Sequence, residues 1–216
     1  RRQQRTAMKR VLALAPHTDD VELGCGGTLA RLLEEGAGVT VAAFSICRES
    51  IPPDLPPTIA GDEFREAMQR LGVPPQNVLV YDYPVRKFPQ HRQELLEELV
   101  RLRGRITPNL VLLPSAHDVH QDHQVIAAEG LRAFKETSVW GYELPWNQAA
   151  FTAQAYVTLE PRHLEAKWRA LTAYQTQIKL GRPYFRQDFI EGLARVRGVQ
   201  VKAEFAEAFE VTRLRL

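Results

Sequence analysis

Stretches typical of buried strands alternate with stretches typical of helices along most of this chain. The runs at 11–15 (VLALA) and 39–45 (VTVAAFS) are apolar without polar alternation, as in strands that are covered on both faces. Between them, leucines recur at helical spacing over 28–36, and Gly36 marks the predicted end of that helix. Parallel strands need long crossover connections, so this alternation predicts an α/β fold with a mostly parallel central sheet.

The same criteria predict the remaining elements. Further strands are predicted at 78–84, 109–115, 139–144, 155–160 and 206–211, and further helices at 61–72, 93–106, 124–134, 163–178 and 189–196. Four prolines within 46–61 predict an irregular loop there. Residues 1–8 are predicted to form a disordered arm, with Met8 as a candidate start, and 9–216 to form one domain.

Composition excludes several classes of protein. Lys and Arg total 28 and Asp and Glu total 26, so the formal net charge of +2 argues against a nucleic-acid partner. No apolar run approaches the roughly 18 residues of a membrane span. Two cysteines, Cys25 and Cys47, form neither a disulfide framework nor a metal knuckle, which predicts free thiols and a cytoplasmic location. Composition leaves the oligomeric state open, a homo-oligomer included.

Two polar clusters follow the first and fourth predicted strands. His17, Asp19, Asp20 and Glu22 come directly after the first, and the sequence SAHDVHQDH (115–123) follows the fourth. Ligands of open parallel sheets bind beyond the carboxyl ends of the strands, near the point where strand order reverses. We therefore expect both clusters to lie at one edge of the sheet.

The residue types in these clusters favour a metal site. An imidazole and a carboxylate separated by two residues, as in His17 and Asp20, suit a first-row metal such as zinc. Two adjacent carboxylates repel each other unless one binds the metal and the other lies beside the water. In the second cluster, His120 and His123 share a face of a nascent helix, and Asp122 can orient an imidazole from behind. Three protein ligands with one open position are typical of catalytic zinc.

Simpler interpretations compete with the metal site. TDDVE (18–22) can be a helix N-terminus in which aspartate caps free N–H groups, and the histidine-rich segment can be a solvated loop. LGCGGT (23–28) suggests a dinucleotide fingerprint, but the third glycine position holds Leu29 and the preceding carboxylates would repel a phosphate. Small residues that allow the turn and helix to pack closely explain these glycines better.

The two clusters resemble the motifs of a known family. PHTDDVELGCGGTLARL (16–32) resembles the AHPDD-x-x-x-G-x-G-G signature of the LmbE/PIG-L family of zinc-dependent N-deacetylases, and HQDH (120–123) resembles its second motif, H-x-D-H. The likeness continues through EFREAMQRLGV, WGYELPW, KWRALTAYQTQ and RGVQVKAEFAEAFEV, so it covers nearly the whole chain. One departure is Thr18, where the family usually has proline, which implies a less rigid turn.

The resemblance implies a Rossmann-like three-layer fold and a role for each matched residue. His17, Asp20 and His123 would be the metal ligands, holding zinc or, in its place, iron or another divalent ion. Asp19 would be the general base. His120, supported by Asp122, would be the charged imidazole that stabilises the oxyanion and assists the leaving amine.

The resemblance also implies a substrate class, an N-acetylglucosamine-type sugar or sugar conjugate, from which acetate is released. Two alternatives remain at this point: another metal-dependent amidase or phosphoesterase in the same site, and a metal- or sugar-binding protein without turnover. Whether Arg48, His117 or Tyr142 contacts the substrate also stays open.

Overall fold

The structure, a computed structural model, describes residues 10–215, so the predicted arm at 1–8 lies outside the described residues. The strands are β1 (Arg10–His17), β2 (Gly38–Ser45), β3 (Val78–Val80), β4 (Leu110–Pro114), β5 (Ser138–Tyr142), β6 (Ala155–Leu159) and β7 (Phe205–Arg213). The helices are α1 (Asp20–Glu34), α2 (Ile59–Leu71), α3 (Arg92–Ile106), α4 (Gln121–Ala133), α5 (Pro161–Leu171), α6 (Gln175–Lys179) and α7 (Gln187–Gln200). Within 10–215, none of the helices has the length and apolar character needed to cross a bilayer.

The strands form one seven-stranded sheet in the order β3-β2-β1-β4-β5-β7-β6. The first five strands are parallel, and β7 runs antiparallel to both of its neighbours. This confirms the predicted α/β fold with a mostly parallel sheet. Chain order reverses between β1 and β4, because β2 and β3 extend to one side of β1 while β4 and β5 extend to the other. The carboxyl ends of β1 and β4 therefore form the crevice where such folds bind ligands.

Helices cover both faces of the sheet and create two hydrophobic layers. Alternate residues of β1 point to opposite faces: Val11 and Ala13 belong to the layer under α1, α2, α5 and α7, whereas Leu12 and Leu14 belong to the layer under α3 and α4. These side chains are fully buried. Burial on both faces explains why the strand reads as an uninterrupted apolar run.

Several predicted boundaries differ from the structure, and three of these differences matter most. β3 ends at Val80 instead of continuing to 84, and α1 begins at Asp20 instead of 28, so the aspartate pair lies at the start of a helix. The single helix predicted at 163–178 is two helices, α5 and α6, separated by residues 172–174. This last break places Tyr174 beneath the metal-motif turn, as described below.

Helix α1 is kinked at Cys25, whose backbone (φ −147°) is not helical. The kink frees backbone N–H groups in the middle of the helix, and the Glu207 carboxylate of β7 accepts hydrogen bonds from those of Gly27 (3.0 Å) and Thr28 (2.7 Å). Lys167 of α5 donates to the same carboxylate (2.7 Å) and to the Leu23 carbonyl (2.7 Å). A buried ion pair therefore serves as the cap of the second half of α1.

Gly24→Ala is expected to lower the free energy of unfolding by about 1–3 kcal/mol, since overpacking in a core has this cost. An added Cβ would lie 2.4 Å from Cδ2 of Tyr142. The Tyr142 ring cannot easily retreat, because it is fully buried and its hydroxyl donates to the Leu14 carbonyl (2.9 Å). Urea unfolding followed by circular dichroism measures the change.

Gly104→Ala in α3 is the matched control for this substitution. No heavy atom lies within 4 Å of the position its Cβ would take, so we expect a gain of up to about 1 kcal/mol from helix propensity. Equal effects of the two substitutions would contradict the packing explanation.

Candidate metal centre

The first polar cluster forms a tight turn between β1 and α1. His17 is the last residue of β1 and Asp20 the first of α1. The Asp20 carboxylate accepts a hydrogen bond from the His17 backbone N–H (2.7 Å), which folds the turn back on itself. The Asp19 side chain caps no N–H of α1. The simpler interpretation is therefore right in placing a helix N-terminus here and wrong in assigning a capping hydrogen bond to Asp19.

Three ligand atoms from the two clusters converge at the carboxyl ends of β1 and β4. His17 Nδ1 lies 3.1 Å from His123 Nε2, and Asp20 Oδ2 lies 3.4 Å from the first and 3.2 Å from the second. In a tetrahedral zinc site with bonds of about 2.0–2.1 Å, ligand atoms are about 3.3–3.4 Å apart. The triangle therefore has the size that a zinc ion requires.

A buried carboxylate lies behind each of the two imidazoles. Asp118 Oδ2 is 2.7 Å from His123 Nδ1, and Asp122 Oδ2 is 2.9 Å from His17 Nε2. Each carboxylate is an acceptor for the outer N–H of its histidine, so the inner nitrogens face each other as lone pairs. His17 Nδ1 and His123 Nε2 are 3.1 Å apart and lie beside Asp20 Oδ2. A positive charge between these atoms offsets the repulsion between their lone pairs. The chemistry of the donor set thus fits a divalent cation.

The electrostatics of the cluster show the same demand for positive charge. Burial works against protonation of His123, yet the Asp20 and Asp118 carboxylates raise its pKa to about 10. Burial also works against ionisation of Asp20, but His123 and His17 hold the pKa of this carboxyl well below its usual range. A metal ion that binds here displaces protons from the imidazoles.

Asp122 does not lie where its predicted role requires. Its carboxylate contacts His17 and accepts backbone N–H bonds from Arg86 (2.6 Å) and Phe88 (3.2 Å), while only its backbone N–H reaches His120. The His120 imidazole therefore makes no hydrogen bond to this carboxylate within residues 10–215, although the charge of Asp122 still works to raise the pKa of His120. Asp122 is held by the loop that precedes α3, and it orients His17 instead.

His120 lies beside the triangle, with one ring nitrogen within 4.8 Å of ligand nitrogens of His17 and His123. Its Nδ1 accepts a hydrogen bond from the Asp122 backbone N–H (3.1 Å). A neutral imidazole has one N–H, so Nε2 carries the hydrogen and is a donor. Burial, together with His17 and His123, lowers the pKa of His120, which opposes the charged form expected from the sequence. This histidine is therefore suited to donate a hydrogen bond instead of binding a metal.

The Asp19 side chain is half-buried in the same turn, next to Asp20, and it caps none of the N–H groups of α1. Burial and the neighbouring Asp20 raise the pKa of Asp19 to about 6. A carboxylate that caps no helix N–H and has a raised pKa is suited to accept a proton.

The three residues left open by the sequence lie apart from the triangle. Tyr142 is fully buried under α1, which excludes contact between its hydroxyl and a substrate at the surface. His117 is exposed and contacts Glu210 (2.8 Å), and the Arg48 guanidinium forms an ion pair with Asp82 (2.5 Å).

Sequence reasoning missed two residues of this site. Asp118 lies within the quoted motif, five residues before His123. Its position made it a candidate partner of a histidine, but Asp122 in the same motif was an equally good candidate. Tyr174 contacts the turn from 156 residues away, and its signal is only its position in KWRALTAYQTQ.

Comparison with known proteins supports the resemblance. Residues 12–134, more than half of the chain, match the family described as PIG-L: GlcNAc-PI de-N-acetylase. This chain belongs to the PIG-L family. A curated relative, the diacetylchitobiose deacetylase of Thermococcus kodakarensis, is 24% identical over 208 residues, which cover 83% of this chain and 76% of the relative.

Solved structures share the fold across almost the whole chain. The conserved protein TT1542 of Thermus thermophilus has a TM-score of 0.78 at 24% identity and covers 97% of each chain. GalB of Pseudomonas putida, a 4-carboxy-2-hydroxymuconate hydratase, also has a TM-score of 0.78, at 18% identity, and covers 97% of this chain and 98% of its own. The hydratase GalB therefore has the same architecture as this member of a de-N-acetylase family. A shared fold does not determine the reaction, which depends on the residues of the site.

Proposed function

We propose that this PIG-L family member is a zinc-dependent hydrolase that removes the acetyl group from an N-acetylated sugar. The observation that carries the proposal is the convergence of His17 Nδ1, His123 Nε2 and Asp20 Oδ2, with the Asp19 carboxylate in the same turn. The T. kodakarensis relative, named as a diacetylchitobiose deacetylase, supports the choice of substrate class.

His17, Asp20 and His123 would hold the ion in this proposal. When bound, zinc supplies Lewis-acid polarisation of a carbonyl and makes water more acidic. Asp118 and Asp122 keep the two imidazoles in the tautomer that binds a metal, because each accepts the outer N–H.

Asp19 and His120 carry the proton chemistry in this proposal. Asp19 accepts the proton of the water that attacks the amide carbonyl, since its pKa is raised to about 6 and its carboxylate caps no N–H of α1. His120 Nε2–H donates to the carbonyl oxygen, where negative charge develops in the transition state. The proton held by Asp19 then passes to the sugar nitrogen, so that acetate and a free amine leave. The structure thus favours a neutral His120 donor over the charged imidazole inferred from the motif.

An assay with the zinc-loaded protein on N-acetylglucosamine and N,N′-diacetylchitobiose tests the reaction. We expect acetate and free amine to appear in equal amounts. Water addition to an unsaturated carboxylic acid is the second candidate, since GalB shares the fold; an absorbance change with such an acid and no acetate from the sugars would favour it. Phosphate release from a sugar phosphate would favour the phosphoesterase alternative.

Asp20→Asn and His120→Gln decide which side chain is the third ligand. Asp20→Asn is expected to lower zinc affinity by at least about 10-fold, because it removes an anionic ligand oxygen. His120→Gln should keep the zinc, because His120 Nδ1 accepts the Asp122 N–H and the hydrogen of the neutral imidazole is therefore on Nε2. Competition with a chromophoric chelator measures both affinities. Loss of zinc in His120→Gln with retention in Asp20→Asn would assign the third ligand to His120.

A further inference from the structure

The Tyr174 hydroxyl contacts the metal-motif turn from below. It donates to the Thr18 carbonyl and lies within hydrogen-bond distance of Glu22 Oε1. Tyr174 is 1% exposed and Glu22 is fully buried, so water cannot easily replace either contact. Thr18 stands between the ligand His17 and the base Asp19. A contact that fixes the Thr18 carbonyl therefore restrains the turn that carries both of these side chains.

Tyr174 is itself held in place by two other elements. Glu63 of α2 accepts hydrogen bonds from the Thr176 backbone N–H (2.9 Å) and hydroxyl (2.6 Å), which anchors the first turn of α6 directly after Tyr174. The Phe185 ring packs edge-on against Tyr174 with centroids 6.0 Å apart. The hydroxyl is therefore presented to the turn by a rigid support.

The Glu22 carboxyl completes the arrangement. The Tyr174 hydroxyl is the donor toward both oxygens, so its single hydrogen is shared between the Thr18 carbonyl and Glu22 Oε1. Glu22 Oε2 has no partner within the described residues. Buried carboxyl oxygens without a hydrogen-bond partner are rare in folded proteins. The contact between Glu22 and the Tyr174 hydroxyl gives this buried side chain a structural role.

We propose that Tyr174 is a positioning residue that fixes the turn from His17 to Asp20 for metal binding, in place of the proline that the family signature has at position 18. A proline fixes φ of the turn covalently, whereas Thr18 leaves it free. The hydrogen bond from Tyr174 to the Thr18 carbonyl restricts the same turn through a tertiary contact. This inference rests on the proposed function only in taking His17 and Asp20 as zinc ligands.

Tyr174→Phe is expected to lower zinc affinity by about 10- to 100-fold, the usual effect of losing a contact that orients a ligand. The ring and its packing are kept, so only the hydroxyl is removed. Competition with a chromophoric chelator measures the affinity without any turnover. A wild-type chain that binds zinc but releases no acetate would therefore disprove the proposed function and leave this test intact.

Tyr142→Phe is the matched control, because it removes another buried hydroxyl that donates to a backbone carbonyl, here that of Leu14 within β1 (2.9 Å). We expect it to bind zinc like the wild type. Thr18→Pro in the Tyr174→Phe background should recover most of the affinity, since the Thr18 N–H donates no hydrogen bond within 10–215. Wild-type affinity in Tyr174→Phe, an equal loss in Tyr142→Phe, or no recovery by Thr18→Pro would each overturn the proposal.

Discussion

Asp19→Asn is expected to lower kcat by about 10²–10⁴-fold, the usual contribution of a general base, while the chain keeps its zinc. The structure separates the two adjacent aspartates. Asp20 Oδ2 belongs to the ligand triangle and accepts the His17 N–H, whereas the Asp19 side chain is not part of the triangle and caps no N–H of α1. An amide at position 19 has nearly the same shape but cannot accept a proton at its nitrogen, so binding should survive and proton transfer should not.

The measurement is kcat and KM for acetate release together with metal content by atomic emission. Asp20→Asn serves as the matched control, because the same change of charge on the neighbouring residue should act through the metal. An Asp19→Asn enzyme with normal kcat would contradict the assignment of the base. Loss of zinc to the same extent in both variants would contradict the division of roles.

Glu207→Gln is expected to lower the free energy of unfolding by about 3–5 kcal/mol, the usual cost of removing one partner of a buried ion pair. The Glu207 carboxylate accepts from three donors, Lys167 Nζ and the backbone N–H groups of Gly27 and Thr28. An amide has a single acceptor oxygen, so at least one buried donor loses its partner, and the Lys167 charge remains without compensation. Urea unfolding at neutral pH measures the change.

Two variants complete this experiment. Asp188→Asn makes the same change of acid to amide in an exposed ion pair with Arg186, and it should leave the unfolding midpoint unchanged. Lys167→Met combined with Glu207→Gln should be more stable than Glu207→Gln alone, because the buried charge is removed. If Glu207→Gln unfolds like the wild type, the carboxylate has no part in stabilising the kinked helix.

The central strands and the metal motifs could be predicted because their physical causes are local. β1 and β4 are buried on both faces and read as apolar runs, and they end where the polar clusters begin. The early end of β3 could not be read from VLVYDYP. Tyr81 and Tyr83 look like strand residues, and their N–H groups still bond to β2, but the chain has left the regular ladder.

Tertiary contacts explain what the sequence did not reveal. The break between α5 and α6 has no proline or glycine at 172–174 and is fixed by contacts of Tyr174 and Thr176 with distant residues. In the motif HDVHQDH, two aspartates stood at plausible distances, and spacing alone could not decide which imidazole each one supports. The packing of β1 beside β4 determines which imidazole each aspartate contacts. Asp118 contacts His123, and Asp122 contacts His17.

The proposed ligands lie on opposite sides of a long stretch of chain, since His17 and His123 are 106 residues apart. They meet because β1 and β4 lie side by side in the sheet. A nascent chain that has left the ribosome only as far as α3 carries His17 and Asp20 but not His123. Such a chain has two of the three ligands and no supporting carboxylate from the second motif. The three ligands therefore come together only when the sheet is complete. The first motif alone lacks the geometry that defines the site, so we do not expect it to select the ion during translation.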